Sequence, residues 1–112
     1  MSRAVGDVAE AGAARHLQAL GYHIVARNVV SKVGELDIVA RDGKTLCFVE
    51  VRLRRGGGAL ESVTPTKQRR LARAAQQYLV AHRLTAAPCR FDVLGVAIAD
   101  GEPRYTLIKD AF

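Results

Sequence analysis

Tryptophan is absent from this 112-residue chain, and cysteine is scarce: Cys47 and Cys89 are the two. Neither stands in a CxxC pair or in a Cys/His cluster, which argues against a zinc site. Two reduced and mostly buried thiols are expected, since nothing in the sequence asks for a disulfide. Long hydrophobic runs are missing as well. No apolar stretch approaches the roughly 18 residues that a membrane span needs, and the start MSRAVGDVAEAG has no secretory h-region. A cytoplasmic protein without a membrane partner is therefore expected. With no repeat, linker or low-complexity segment, residues 1–112 read as a single domain with one core.

What the chain does have is arginine. Net charge is +6, carried by 13 arginines and 4 lysines against 11 acids. Between Arg52 and Arg73 lie Arg54, Arg55, Lys67, Arg69 and Arg70, and Glu61 is the single acid there. Such a local excess suits a polyanion such as nucleic acid, and it equally suits a solvated basic surface. Charge alone leaves both readings open.

Hydrophobic spacing supplies the elements. Residues 4–20 read as a helix, because Val5, Val8, Ala9, Ala13, His16, Leu17 and Leu20 fall on one stripe ended by Gly21. Gly12 shares the stripe and allows another element to come close. His16 reads as a core or interface histidine. Glu10 lies at the stripe's margin, either as a flanking surface acid or within reach of whatever the helix packs on. Tyr22 to Val30 reads as a strand and Ser31 to Gly34 as a turn. Leu36 to Arg41 and Thr45 to Leu53 read as a hairpin, and Arg54 to Gly58 as a mobile basic loop. A second helix opens at Thr64-Pro65, with threonine as N-cap and proline at the first helical position. Its buried face is Leu71, Ala74, Ala75, Tyr78, Leu79 and His82. Arg69 and Arg73 point away, and Arg70 lies on the flank. Lys67 falls within roughly 60° of the apolar centre and so aims inward or along a cleft, unless it snorkels. Arg90 to Ala99 is a further strand, Asp100 to Pro103 a turn, and Arg104 to Ile108 a short last strand. The order α-β-β-β-α-β-β describes a mixed sheet flanked by helices, an α/β (α+β) fold.

The stretch GELDIVARDGKTLCFVEVR, Gly34 to Arg52, holds the chemistry. Asp-Gly at 42–43 is a strong hairpin signal. With those two residues as the loop, Glu50 lies opposite Glu35 and Asp37 opposite Phe48. Alternation then puts Glu35, Asp37, Val39, Leu46, Phe48, Glu50 and Arg52 on one side. Three carboxylates among aliphatic residues call for a cation, either a metal ion or a basic side chain. Asp37 and Glu50, diagonal neighbours roughly 7–8 Å apart at the backbone, can converge on one ion.

This order of an acid on a helix, an acid on one strand, an acid two residues before a cation, and then a basic helix resembles the PD-(D/E)XK nuclease superfamily. More closely, the Gly34–Arg52 stretch, Lys67, RFDV at 90–93 and the ending IKDAF resemble the YraN-like family of small bacterial proteins. That resemblance runs from Gly6 to Phe112. It implies a restriction-endonuclease-like fold related to Holliday junction resolvases, and a metal-dependent endonuclease acting on DNA more readily than RNA, branched or structured DNA included. Resolvases cut two strands symmetrically, which implies a homodimer. It further implies Mg²⁺ or Mn²⁺ at Glu10, Asp37, Glu50 and the Val51 carbonyl, with Glu35 as an auxiliary. Arg52 stands where the superfamily usually has its catalytic lysine. Arginine stays protonated and cannot act as a base, but it can orient water or hold phosphate. Lys67 is the candidate for part of the missing role. Arg54, Arg55, Arg69, Arg70 and Arg73 are the expected phosphate contacts, while Asp92 matches a family motif without a role that the sequence assigns. A non-catalytic nucleic-acid-binding module on the same fold is the alternative, and an interaction protein with an acidic partner is a third reading.

Overall fold

The computed structural model describes residues 3–54 and 63–112, with side chains from Val8 onward. Helical spacing becomes α1 (Arg3–Ala19) and α2 (Pro65–Ala81). The alternating runs become β1 (His23–Ser31), β2 (Gly34–Asp42), β3 (Thr45–Leu53), β4 (Cys89–Ala99) and β5 (Glu102–Ile108). The strands form one sheet in the order β1-β2-β3-β4-β5. Neighbours are antiparallel except β3 and β4, which run parallel and are joined through α2. A parallel pair needs such a crossover, and here the helix supplies it.

Two apolar cores separate on the faces of the sheet. Leu46, Phe48 and Val93 pack with Leu71, Ala74, Ala75, Tyr78 and Leu79 of α2. Cys47, Val49 and Leu94 pack with Ala13, Ala14 and Leu17 of α1. The alternation of β3 thus feeds one core and then the other, as a strand covered on both sides requires.

Several sequence expectations change. The hairpin loop is Gly43-Lys44, with Asp42 paired to Thr45, Val39 to Phe48 and Ile38 to Val49. The loop therefore sits one residue later than Asp42-Gly43, and Glu50 does not face Glu35. Gly43 has φ +63° and Asp42 stays in the strand, the pattern of a turn with glycine at its first central position. Asp42 is held there by Arg90 at 3.0 Å and Lys109 at 3.3 Å.

The expected alternation of β2 also fails at one point. Leu36 and Val39 share the α2 core, while Ile38 lies in the α1 core. The break falls at Asp37, which is skipped in the β1–β2 register between Arg27↔Ile38 and Val29↔Leu36. Asn28, the residue it would meet, has φ +52°. Smaller corrections concern His82, Cys89 and Pro103. His82 is exposed and caps α2, stacking on Tyr78 at 4.1 Å. Cys89 is exposed, and both thiols are free. Glu102 and Pro103 belong to β5 rather than a turn, which an edge strand tolerates because proline there forfeits no interior ladder bond.

Gly12 meets Tyr105 of β5. A Cβ at position 12 would lie 2.6 Å from the tyrosine hydroxyl. The Tyr105 ring stacks on His16, one turn along the same helix, at 4.5 Å. The close approach expected of Gly12 is what packs α1 against the far edge of the sheet.

Candidate active site

The break in β2 builds the site. The β2–β3 register ends at Ile38↔Val49, so Asp37 and Glu50 are the next residues on the two strands, just past the last pair. Val51 then turns its N–H and carbonyl toward β2 beyond the end of the ladder, as every second strand residue does. Asp37 takes up that N–H: its Oδ2 accepts from Val51 N at 2.9 Å. A side chain thus replaces a backbone partner at the point where the strands part.

Glu10 reaches this point from α1 and Lys67 from α2. Glu50 is nearly buried, and Lys67 Nζ lies 2.8 Å from its Oε1. Glu10 is also buried, and Arg27 of β1 stands 3.6 Å from its Oε1. Burial, the charge of Glu50 and the charge of Glu10 together push the Asp37 carboxyl up to about 7, against the lowering effect of the Val51 N–H. A half-buried acid raised by neighbouring acids marks a place where negative charge exceeds what the fold neutralises.

The helical phase of Lys67 has a local cause. Thr64 caps α2 by accepting from Lys67 N at 3.2 Å, which fixes the lysine in the first turn beside the end of β3. Arg52 is half-buried two residues beyond Glu50 and therefore on its face of the strand. Glu35 stands outside the cluster: it is exposed and paired with Val30 near the start of β2, two residues before Asp37. The irregularity at Asp37 separates it from the acids with which strict alternation had grouped it.

Arg69, Arg70 and Arg73 are exposed on α2. Arg69 donates to Thr66 at 3.3 Å within the helix. Arg54 continues the sheet instead of opening a loop: its N–H donates to the Val96 carbonyl at 2.7 Å, and its guanidinium donates to Thr106 of β5 at 3.3 Å. Arg55 and the expected loop after it lie outside the described residues.

A second polar cluster, which sequence reasoning did not assemble, surrounds Asp92. This aspartate is fully buried and accepts from Tyr22 at 3.0 Å, Arg90 at 2.8 and 2.9 Å, and the Asp110 N–H at 2.9 Å. Arg90 also reaches Asp42 at 3.0 Å and the Tyr22 hydroxyl at 2.8 Å. Burial would raise the Asp92 carboxyl, but Arg90, the Asp110 N–H and Tyr22 together hold it below the usual range. The Asp92–Arg90 pair thus ties β4 to Tyr22 just before β1, to the hairpin and to the segment after β5. The visible signal was Arg90 two residues before Asp92, on one strand face; the distant partners had none.

Among the described residues, no three His, Cys, Asp or Glu side chains already stand at the spacing of a metal cage. Glu10 is engaged by Arg27, Glu50 by Lys67 and Asp37 by the Val51 amide. The donor set nevertheless suits a hard divalent cation. It offers carboxylate oxygens from three elements, and the Val51 carbonyl turned toward the same gap.

Comparison with known proteins identifies relatives over nearly the whole chain. Residues 9–96 match the family model described as uncharacterised protein family UPF0102. The chain is 51% identical to a UPF0102 protein of Symbiobacterium thermophilum, covering 100% of this chain and 98% of that relative. It is 48% identical to one of Ralstonia nicotianae (97% and 86% covered) and 43% identical to one of Dehalococcoides mccartyi (95% and 90%).

Proposed function

This chain belongs to the UPF0102, or YraN-like, family, and from that premise we propose that it is a divalent-cation-dependent endonuclease whose substrates include branched or structured DNA. The observation that carries the reading is Asp37. Its carboxyl is withdrawn from water between Glu50 and Glu10 and raised to about 7. The Val51 N–H is the contact that favours its charged form, whereas Asp92 has the Arg90 guanidinium.

Glu10, Asp37, Glu50 and the Val51 carbonyl are the groups that would hold Mg²⁺ or Mn²⁺. The bound cation supplies charge neutralisation at the phosphate and a more acidic water. The chain's own residues do the rest. Val51 N–H fixes one oxygen of Asp37 and so aims the other. Arg52, always charged, holds a phosphate oxygen or orients the attacking water and cannot accept its proton. Lys67, half exposed at the mouth of the cluster, can reach a phosphate oxygen. Arg69, Arg70 and Arg73 bind the backbone of the nucleic acid away from the reacting bond, fixing register without reading sequence.

Arg52 in the usual lysine position favours a second reading, a nucleic-acid-binding module that does not cleave. A cleavage panel separates the two. Single-stranded, duplex, flap and four-way DNA are incubated with Mg²⁺ or Mn²⁺ and wild type, Asp37→Ala, Glu50→Ala or Arg52→Lys. Cleavage by wild type, abolished in both alanine variants, is the expected result. Binding without cleavage in wild type, with activity gained in Arg52→Lys, would establish the module reading instead.

A further inference from the structure

Glu50 and Lys67 make a short ion pair, at 2.8 Å, and the two partners differ in their access to water. The Glu50 side chain is 7% exposed and that of Lys67 47% exposed. The lysine therefore enters from solvent, with its backbone pinned by the Thr64 cap and four rotatable bonds leading to the ammonium. We propose that Lys67 is a resident counter-ion of Glu50 that a divalent cation must displace, and that this lysine sets how tightly the site takes metal.

The proposal rests on the metal-site reading above and adds a constraint to it. A nearly buried carboxylate is costly to leave without a compensating cation. Oε1 of Glu50 already has one, at the distance of a strong charge-assisted hydrogen bond. A metal drawing on that oxygen has to compete with an ammonium whose local concentration is fixed by a single helical turn. Arg27 is a weaker competitor at Glu10: its Nε lies 3.6 Å away, too long for a hydrogen bond. Lysine suits the displaced role better than arginine, because its compact ammonium swings on a flexible stem and recovers strong hydration on leaving. Once released, it remains within a side chain's reach of Glu50, where a phosphate oxygen can take it. Metal loading and substrate capture would then be successive uses of one charge.

Calorimetric titration with Mn²⁺ alone tests this on wild type, Lys67→Met, Lys67→Gln and Lys67→Arg. The melting temperature of each is read with and without Mn²⁺. Lys67→Met and Lys67→Gln should bind Mn²⁺ about twofold to fivefold more tightly than wild type, the effect of removing one partly exposed ion pair. Mn²⁺ should also raise their melting temperatures by more than it raises that of wild type. Lys67→Arg should stay closer to wild type than either. Equal or weaker Mn²⁺ binding in the folded neutral variants overturns the counter-ion role and leaves the metal site standing. The same holds if Lys67→Arg tightens binding as much as Lys67→Met, because size and not charge would then be responsible. Should no variant bind Mn²⁺, wild type included, the metal-site reading and this inference fall together. The glutamine variant, which can still hydrogen-bond Glu50, keeps the test decisive if methionine prevents folding.

Discussion

Asp92 is fully buried and Asp37 half-buried, and their neighbours act on the proton in opposite directions. Asp92 lies among a guanidinium, a hydroxyl and an N–H, and its carboxyl is held below its ordinary 3.8. The stability it contributes is complete above that ordinary value and is lost as pH falls further. Asp37 has one N–H against two carboxylates and is raised to about 7. Between about pH 4 and 7 the folded protein keeps a proton there that the unfolded chain has released, so stability declines as pH rises through this window and levels off above it. In chelator, the gap between Asp37→Asn and wild type should therefore widen in favour of the variant from pH 5 to pH 8, read as urea midpoints. Parallel pH curves would remove Asp37 as the source. Asp92→Ala, which leaves Arg90 without its main partner, should cost about 3 kcal/mol in the same measurement at pH 7. The sequence marked Asp37 because three acids shared one short stretch. It could not give Asp92 a role, because Tyr22 and Asp110 meet it, and Asp42 meets its partner Arg90, only after the sheet has formed.

At the scale of elements, periodicity gave both helices and every strand, and Thr64-Pro65 gave the capping of α2. Each of these signals is carried within a few consecutive residues. The hairpin register was not legible in the same way. Asp-Gly is a good turn signal, but Asp42 is drawn into β2 by Arg90 and Lys109, which moves the loop to Gly43-Lys44. The irregularity at Asn28 and Asp37 was hidden too, since no glycine or proline announces it. Gly12 offers a test of how α1 packs. Alanine there gains helix propensity of roughly 1 kcal/mol but brings its methyl within 2.6 Å of the Tyr105 hydroxyl. The tyrosine ring is stacked on His16 and cannot swing away without breaking that stack. Gly12→Ala should be net destabilising by about 1–2 kcal/mol. Adding Tyr105→Phe should recover most of that loss, because the next atom of the ring lies at an ordinary 3.7 Å. A double-mutant cycle by thermal melting measures the coupling, and a coupling near zero would refute the close approach.

For the whole molecule, the helices on opposite faces of the sheet both deliver side chains to the opening between β2 and β3, acid from one and lysine from the other. The basic surface continues outward along α2 through Arg69, Arg70 and Arg73. On the proposed function, nucleic-acid binding should weaken steeply with salt, and changing these three arginines to glutamine should lower the log–log slope by about 2–3, roughly one for each phosphate no longer neutralised. Anisotropy with duplex DNA from low to moderate salt reads this directly. An unchanged slope would place the phosphate-binding surface elsewhere. Among the described residues no helix is long and apolar enough to cross a membrane.

The tie around Asp92 also bears on the order in which the molecule comes into being. During synthesis from the N-terminus, Tyr22 and the whole β1–β2–β3 meander emerge long before Arg90 and Lys109 are made. For that interval Asp42 has neither of its cations, and β3 has no parallel neighbour. The nascent meander thus presents β3, with Glu50 on it, as an open strand edge, and chaperones or early aggregation partners would meet it first. Its protection arrives only with β4 and the segment after β5. The acids are therefore translated early, and the ties that fix the sheet around them come late.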